Sequence, residues 1–411
     1  MPRSRREAEA AGTHRASSLD SSNRRGSLYT AAMHHRRTGC AKRGTPPSVG
    51  LRSSMGLLLA AGVLVGATRS GQALQQPVNG APVAARASLA EEGLTSTTDR
   101  AAPFAMWLQG IREEALVRGI RPETVREALE GIEPVARILR RDRAQATGTG
   151  DREAYIKRRL TPAMVRAARR QLATHRSVLE QIEDTYGVQR RFVVAIWGLE
   201  SSFGQLGGRQ PMIPTLATLA YDPRRTGFFR QELFAALEIL DRGDIELAEM
   251  RGSWAGAMGQ PQFMPSSYLT FAQDFDRDGR ADIWATPADV FASIAYYLKS
   301  HEWSSDRTWG RPVRVPNARR AAIAEAAPPR DEGCRAMQEM SRPLPLSAWD
   351  ELGVRRANGT RLPQVDVAAS LVRTNPRTAY LVYPNYEALL QYNCAHGYAL
   401  SVALLADYAT G

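Results

Sequence analysis

The chain has 411 residues, 43% of them hydrophobic and 23% charged, which is enough for a sizeable core and excludes a disordered or fibrous protein. Its formal charge of +12 suggests a nucleic-acid binder, but residues 1–73 hold twelve Lys and Arg against three Asp and Glu, a net of +9 that leaves +3 for everything after them. The basic excess is an N-terminal feature, so a nucleic-acid groove is not expected.

That N-terminus reads as a targeting segment. An Arg- and Ser-rich stretch precedes "MGLLLAAGVLVGA" at 55–67, an apolar run too short to span a bilayer comfortably but suited to the core of a signal peptide. "SGQA" offers a cleavage site after Ala73, and Met33 and Met55 are alternative starts. An uncleaved membrane anchor is the competing reading. No cysteine directly follows the run, which argues against a lipoprotein. Residues 74–102, rich in Ala, Gln, Pro, Ser and Thr without periodicity, read as a flexible linker.

From Phe104 the pattern is helical. "FAMWLQGIREEALVRG" puts Phe104, Leu108, Ile111, Ala115 and Leu116 on one face, and "RPETVREALEGI" opens with Pro122 and an acid, a helix-start signature. "TPAMVRAARRQLATHRSVLEQIEDTYG" continues helically until Gly187 stops it. In "VQRRFVVAIWGLE" six apolar residues in a row mark a buried helix, and they run directly into Glu200. "RTGFFRQELFAALEILDRGD" and "PADVFASIAYYLKSHEW" are amphipathic helices. After Trp303 the runs "RPVRVP", "DVAASLVRT" and "TAYLVYP" are β-prone, giving a small β insertion over about 304–384. "NYEALLQYNCAHGYALSVALLADY" returns to one final helix, with Tyr392 and Asn393 at its entrance. The fold class is mainly α, of α+β type. Cys334 and Cys394 either pair or stay as two buried thiols.

Four stretches can carry chemistry. Glu200 at the end of a buried helix is held toward its protonated form by burial and by the negative end of the helix dipole, which suits a proton donor. Taken alone, a surface Glu paired with an Arg is the commoner outcome. "GSWAGAMGQPQFMPSSY" mixes glycines with Trp254, Gln262, Phe263 and Tyr268, residue types that line carbohydrate clefts, although a Gly-rich packing loop is the plainer alternative. "DFDRDGRADIWA" places Asp274, Asp276, Asp278, Arg280 and Asp282 at EF-hand loop positions 1, 3, 5, 7 and 9, but Ala285 stands where a bidentate Glu closes such loops. It either binds Ca²⁺ weakly or keeps the loop shape by internal hydrogen bonds. "DPRRTGFF" supplies Arg224 and Arg225, which bind an anion or sit on the surface.

These stretches occur together and in order. With "YGVQRRFVVAIWGLESSFG", "LATLAYDPRRTGFF", "YYLKSHEW" and "YNCAHGYALSVALLADY", the chain from Phe104 to Tyr408 resembles the membrane-bound lytic murein transglycosylase B family, the SLT-domain type 2 group of glycoside hydrolase family 103. The resemblance implies a lysozyme-like core over 103–411 with a helical N-terminal part, an EF-hand-like loop and a small β subdomain. It implies a periplasmic enzyme, exported by a signal peptide, that acts on peptidoglycan strands. The bond between N-acetylmuramic acid and N-acetylglucosamine is cleaved without water, leaving a 1,6-anhydro end. No cofactor is required, and a weak structural Ca²⁺ is allowed. A monomer is expected, with envelope machinery as a further partner class. Carried over by position, Glu200 is the single acid/base and Ser253 the serine that hydrogen-bonds it. Gln262, Phe263 and Met264 contact saccharide. Arg224 and Arg225 lie near the cleft, where peptide or carboxylate groups of the glycan sit, and Tyr155, Tyr297, Tyr392 and Asn393 are further cleft residues. The competing readings are a lysozyme-type hydrolase and a non-catalytic glycan-binding or scaffolding protein.

Overall fold

A computed structural model of the protein describes residues 97–144 and 151–410; the stretch read as a signal peptide, with its apolar run, most of the stretch read as a linker, and Cys40 lie outside the described residues. The chain opens with α1 (Thr97–Val117), α2 (Pro122–Leu129) and α3 (Ala136–Ala144). Helix α1 begins inside the stretch read as linker. Its apolar face is buried as patterned, except that Leu116 turns out to solvent at 46% exposure. Next come α4 (Arg152–Arg159), α5 (Pro162–Thr174), α6 (Arg176–Tyr186) and α7 (Arg190–Ser201).

The long helical pattern over 161–187 is two helices, not one. Thr161 caps the first by accepting the Met164 N–H at 3.2 Å, and Gly187 ends the second at φ +72°. The break falls at His175, whose ring turns inward onto Trp197 and Phe291, with centroids 5.6 and 5.2 Å away.

Strand β1 (Gln210–Pro211), α8 (Met212–Tyr221), α9 (Thr226–Arg242) and β2 (Arg251–Gly252) follow, then α10 (Pro265–Phe271) and α11 (Pro287–Ser300). The small sheet region holds β3 (Gly310–Arg314), α12 (Arg320–Ala326), α13 (Arg335–Gln338), β4 (Leu344–Pro345), α14 (Leu346–Glu351), β5 (Arg355–Arg356), β6 (Ala368–Arg373) and β7 (Ala379–Val382). Its five strands are antiparallel in the order β4-β6-β7-β3-β5, with Leu371 facing Leu381 in the central pair. The three β-prone runs correspond to β3, β6 and β7. The short helices between them carry too few residues for a periodicity to be read from sequence. The chain ends in α15 (Pro384–Tyr392) and α16 (His396–Thr410).

Two cores result. The main one centres on α7, whose residues 192–199 are all buried among α5, α6, α11 and α16. A helix buried on every side is consistent with its uninterrupted apolar run. The smaller core lies under the sheet around Trp349, Leu346 and Leu381.

The expected final helix is also two. Asn393 leaves helical geometry at φ −151°, ψ 114°, and the neighbouring Cys394 is disulfide-bonded to Cys334 across 60 residues of sequence, with Cα atoms 6.3 Å apart. The bridge ties the α13 segment to the junction of α15 and α16. Closing a loop of that length removes about 4 kcal/mol of unfolded-state freedom. Calorimetry with and without dithiothreitol should therefore show the unfolding midpoint falling by several degrees on reduction, and the Cys334→Ser, Cys394→Ser double variant should match the reduced protein; an unchanged midpoint would show that the bridge adds nothing.

Candidate active site

The segment "AIWGLESSFG" explains the position of Glu200. Helix α7 ends one residue after it, and the chain then turns sharply through Ser202 and Phe203, both left-handed at φ +51° and +60°. This turn folds the Phe203 ring back over Gly198, where a Cβ would lie 2.6 Å from the ring. Ser201 pins the turn, donating to the Trp197 carbonyl at 3.1 Å and accepting from the Gly204 N–H at 3.0 Å. Trp197 in turn donates to Gln260 at 2.7 Å, joining the helix end to the Gly-rich stretch.

That stretch forms the opposite wall. The segment just before β1 approaches β2 so closely that a Cβ at Gly208 would stand 2.1 Å from the Gly252 carbonyl carbon. Gln262 sits at φ +55°, a strained conformation for a non-glycine residue, and its amide donates to the carbonyls of Gly259 (2.8 Å) and Gly207 (3.2 Å). Phe263 is held by a reciprocal backbone pair with Met258 and belongs to an aromatic cluster with Tyr297 and Tyr392, at centroid distances of 5.6 and 5.9 Å. The Tyr392 hydroxyl donates to the Pro261 carbonyl at 2.7 Å and the Tyr297 hydroxyl to that of Gln391 at 2.8 Å.

Between these walls lies a cavity of about 330 Å³. Glu200, Ser253, Gln262, Phe263, Met264, Tyr297, Tyr392 and Asn393 all line it, together with Trp254 and Phe228. Residues from five separate parts of the sequence thus converge on one site. Tyr155 is not on the cavity wall, but it packs against Gly397 and lies close enough to feel the Glu200 charge.

Glu200 is part-exposed on the cavity wall, and desolvation of its carboxyl pushes the pKa up to about 7. The Tyr398 hydroxyl and the Arg159 guanidinium both act against that shift. Tyr398 is itself buried, and its hydroxyl reaches no partner at full hydrogen-bonding geometry among the described residues, so it stabilises the carboxylate only in part. Arg159, at the end of α4, donates to the Leu199 carbonyl and so caps the last turn of α7. Neither tyrosine nor arginine was singled out in sequence; Tyr398 is one of many apolar-helix residues, and Arg159 is one of four basic residues within a short span.

Three expectations need correction. The Ser253 hydroxyl accepts from the Ala257 N–H at 3.1 Å and makes no hydrogen bond to Glu200 among the described residues. Arg224 and Arg225 are not on the cavity wall. Arg224 is bound to Asp222 (2.8 Å) and Asp142 (2.7 Å), and Arg225 to Asp142 (3.3 Å), so acids from the α3 and α8 ends neutralise the pair. And the cleft holds a second acid, Glu232, on the buried face of α9. Both its oxygens are engaged by Ser266, through the N–H at 2.9 Å and the hydroxyl at 2.7 Å, and burial raises its pKa. The signal was present in the sequence: Phe229, Glu232, Leu233 and Ala236 share one helical face, so this Glu interrupts an apolar stripe.

The acidic loop keeps its shape through internal bonds. Asp274 accepts from the N–H groups of Asp278 and Gly279, and Asp278 from that of Arg280. Asp282 turns to the Trp284 and Ala285 N–H groups instead of facing a metal. The oxygens that do converge belong to Asp274, Asp276 and Asp289, all within 4.8 Å of one another. Asp289, in the first turn of α11, supplies an acid that Ala285 does not, and it is buried with its pKa raised chiefly by desolvation. A partly buried trio of carboxylates fits a hard cation such as Ca²⁺, and Asp278, Arg280 and Asp282 stand outside that trio.

A family model described as the transglycosylase SLT domain matches residues 103–407. Membrane-bound lytic murein transglycosylase B of Escherichia coli K12 is 30% identical over 255 residues, 60% of this chain and 64% of that protein, so the chain spans just under two thirds of that relative's length. The structure is similar to SltB3 from Pseudomonas aeruginosa, solved in complex with NAG-anhNAM-pentapeptide, with a TM-score of 0.69 and 38% identity over 75% of this chain and 80% of that one. It is also similar to the E. coli lytic transglycosylase Slt35 in complex with calcium, with a TM-score of 0.62 and 26% identity over 74% of this chain and 92% of that one. The fold is accordingly the mainly α, lysozyme-like fold of these enzymes.

The raised pKa of Glu200 has a stability consequence. Its folded pKa lies above the unfolded value of 4.5, so the proton is held more tightly in the folded state; the stabilisation is complete below about pH 4.5 and is lost as the pH rises through about 7. Urea unfolding should find Glu200→Gln more stable than wild type by up to about 3 kcal/mol at pH 8 and nearly equal at pH 4.5; equal stabilities at both pH values would place Glu200 in water. For the loop, millimolar Ca²⁺ should raise the melting temperature, EDTA should reverse the rise, and Asp289→Asn should abolish it. A Ca²⁺ response untouched by that change would exclude Asp289 as a ligand.

Proposed function

The chain belongs to the transglycosylase SLT-domain family, and on that premise we propose that it is a lytic transglycosylase of peptidoglycan in which Glu200 is the sole acid/base. The observation that carries this reading is the Glu200 carboxyl, with a pKa near 7, in a cavity walled by aromatic and amide side chains where the other acid, Glu232, is tied up by Ser266. At neutral pH a large fraction of Glu200 holds its proton. It gives that proton to the glycosidic oxygen as the bond to the muramoyl C1 breaks, which frees the N-acetylglucosamine 4-hydroxyl. The resulting carboxylate then takes the proton of the muramoyl C6 hydroxyl, whose oxygen bonds to C1. Glu200 is regenerated as the acid, water is not consumed, and the product carries a 1,6-anhydro ring.

Each wall has a part in this. Phe263, Tyr297 and Tyr392 present ring surface and exclude water, which keeps the carboxyl desolvated. The Asn393 side-chain oxygen is buried without a partner among the described residues, a group ready for a sugar hydroxyl or acetamido N–H. Tyr398 and Arg159 steady the carboxylate in the step when it is charged. Trp254 and Phe228 extend the apolar rim. Asp274, Asp276 and Asp289 would hold a Ca²⁺ that braces the loop before α11; its charge would offset theirs, and no chemical step passes through it.

A hydrolytic reading needs a second carboxylate free to activate water. Glu232 is the candidate, and its two bonds to Ser266 are the reason it is not favoured. The names of the relatives and the anhydro-sugar ligand of SltB3 support an envelope location and a glycan-strand substrate. Among the described residues no helix is long and apolar enough to cross a membrane. The test is muropeptide analysis of purified sacculi. Wild type should release 1,6-anhydro ends, Glu200→Gln should be slower by at least about a hundredfold, and Glu232→Gln should keep the anhydro product. Release of reducing ends alone would establish hydrolysis instead.

A further inference from the structure

A second cavity, of about 690 Å³, opens in the small sheet region away from Glu200. Buried Ile323, Ala327 and Leu371 form apolar wall, and the charged groups around it are Arg152, Arg320 and Arg373 against Glu339. Arg152 and Glu339 pair with each other. Arg320 donates to the Pro376 carbonyl at 2.9 Å, and neither Arg320 nor Arg373 has a carboxylate partner among the described residues. Arg373 is half-buried, and burial together with the Arg320 charge holds its pKa below the usual arginine range. Two guanidinium groups that repel each other on a partly desolvated wall cost free energy unless an anion lies between them.

The cavity adjoins the cleft. Its residues Gln338 and Glu339 stand at the end of α13, while Cys334, the residue just before that helix, lines the Glu200 cavity. Four helical residues span only about 6 Å. Arg152 begins α4, the helix that carries Tyr155 and Arg159 to the Glu200 carboxyl. We propose that this cavity binds a peptide carboxylate, that of the peptide arm on a glycan strand lying in the neighbouring cleft, with Arg320 and Arg373 as its receptors. The proposal rests on the reading of that cleft as a peptidoglycan site. It also relocates a role: Arg224 and Arg225 are neutralised by their own aspartates, whereas these two arginines are not. Planar guanidinium groups match a carboxylate by paired hydrogen bonds, and the apolar wall accepts small peptide side chains.

Calorimetric titration of the whole protein tests this with three probes: the free pentapeptide, the NAG-NAM disaccharide without peptide, and inorganic phosphate. The free pentapeptide should bind wild type and bind about tenfold more weakly to the Arg320→Gln, Arg373→Gln double variant, with the disaccharide affected in neither. On peptide-bearing strands the double variant should show KM raised about tenfold with kcat retained, and on strands stripped of peptide it should match wild type. Arg320→Gln alone, an exposed position, gives the same direction if the double variant unfolds. Equal pentapeptide affinity in wild type and variants would overturn the assignment, as would phosphate binding as tightly as the peptide. If wild type cleaves neither kind of strand, the cleft reading fails; arginine-dependent pentapeptide binding would then still support the carboxylate site.

Discussion

The structure depends on one costly placement: an ionisable carboxyl at the end of a helix that is buried on every side. Helix α7 is the centre of the main core, and its penultimate residue carries an ionisable carboxyl at the edge of that core. Burial lifts the Glu200 pKa to about 7, and two nearby groups, Tyr398 and Arg159, limit the shift without cancelling it. The surrounding apparatus follows from this. The left-handed turn through Ser202 and Phe203 ends the helix abruptly, the glycines let two backbone segments close on each other, and the cluster of Phe263, Tyr297 and Tyr392 packs into the cavity wall.

On the proposed reading the same placement decides the chemistry: an acid with a pKa near the working pH gives a proton and takes one back, and the substrate's own hydroxyl supplies the nucleophile. The count of carboxylates is where sequence and structure part. From sequence the cleft held one acid; in the structure it holds two. What separates them is engagement: Ser266 occupies both oxygens of Glu232, while Glu200 faces a hydroxyl that does not complete a bond. The proposed single-acid reading therefore rests on a different ground from the one the sequence offered.

What was legible in the sequence was local. An apolar run into a Glu, a Gly-rich aromatic stretch and aspartates at alternate positions are each contained within a dozen or so residues. The resemblance added their order along the chain. What was not legible lies in contacts between distant residues. Beside the local pair of Arg224 with Asp222, the ion pairs of Arg224 and Arg225 come from Asp142, 82 and 83 residues away. Asp289 meets Asp274 only because α11 folds back onto the loop. The hydrogen bond of Glu232 runs 34 residues along the chain, and the disulfide 60. Helix breaks at His175 and Asn393 were hidden for a related reason: each ring or bridge that fixes the break belongs to tertiary packing, while the local propensity on both sides remains helical.

The central claim is that Glu200 is a proton-loaded acid in the folded protein, and a direct titration tests it. Carbon-13 NMR of the protein labelled at glutamate carboxyls, with Glu200 assigned by its loss in Glu200→Gln, gives its midpoint without reference to turnover. The account predicts a midpoint near 7, well above the glutamates on the surface. A midpoint near 4.5 would contradict it, since a carboxyl that is ionised at neutral pH has no proton to give to the glycosidic oxygen.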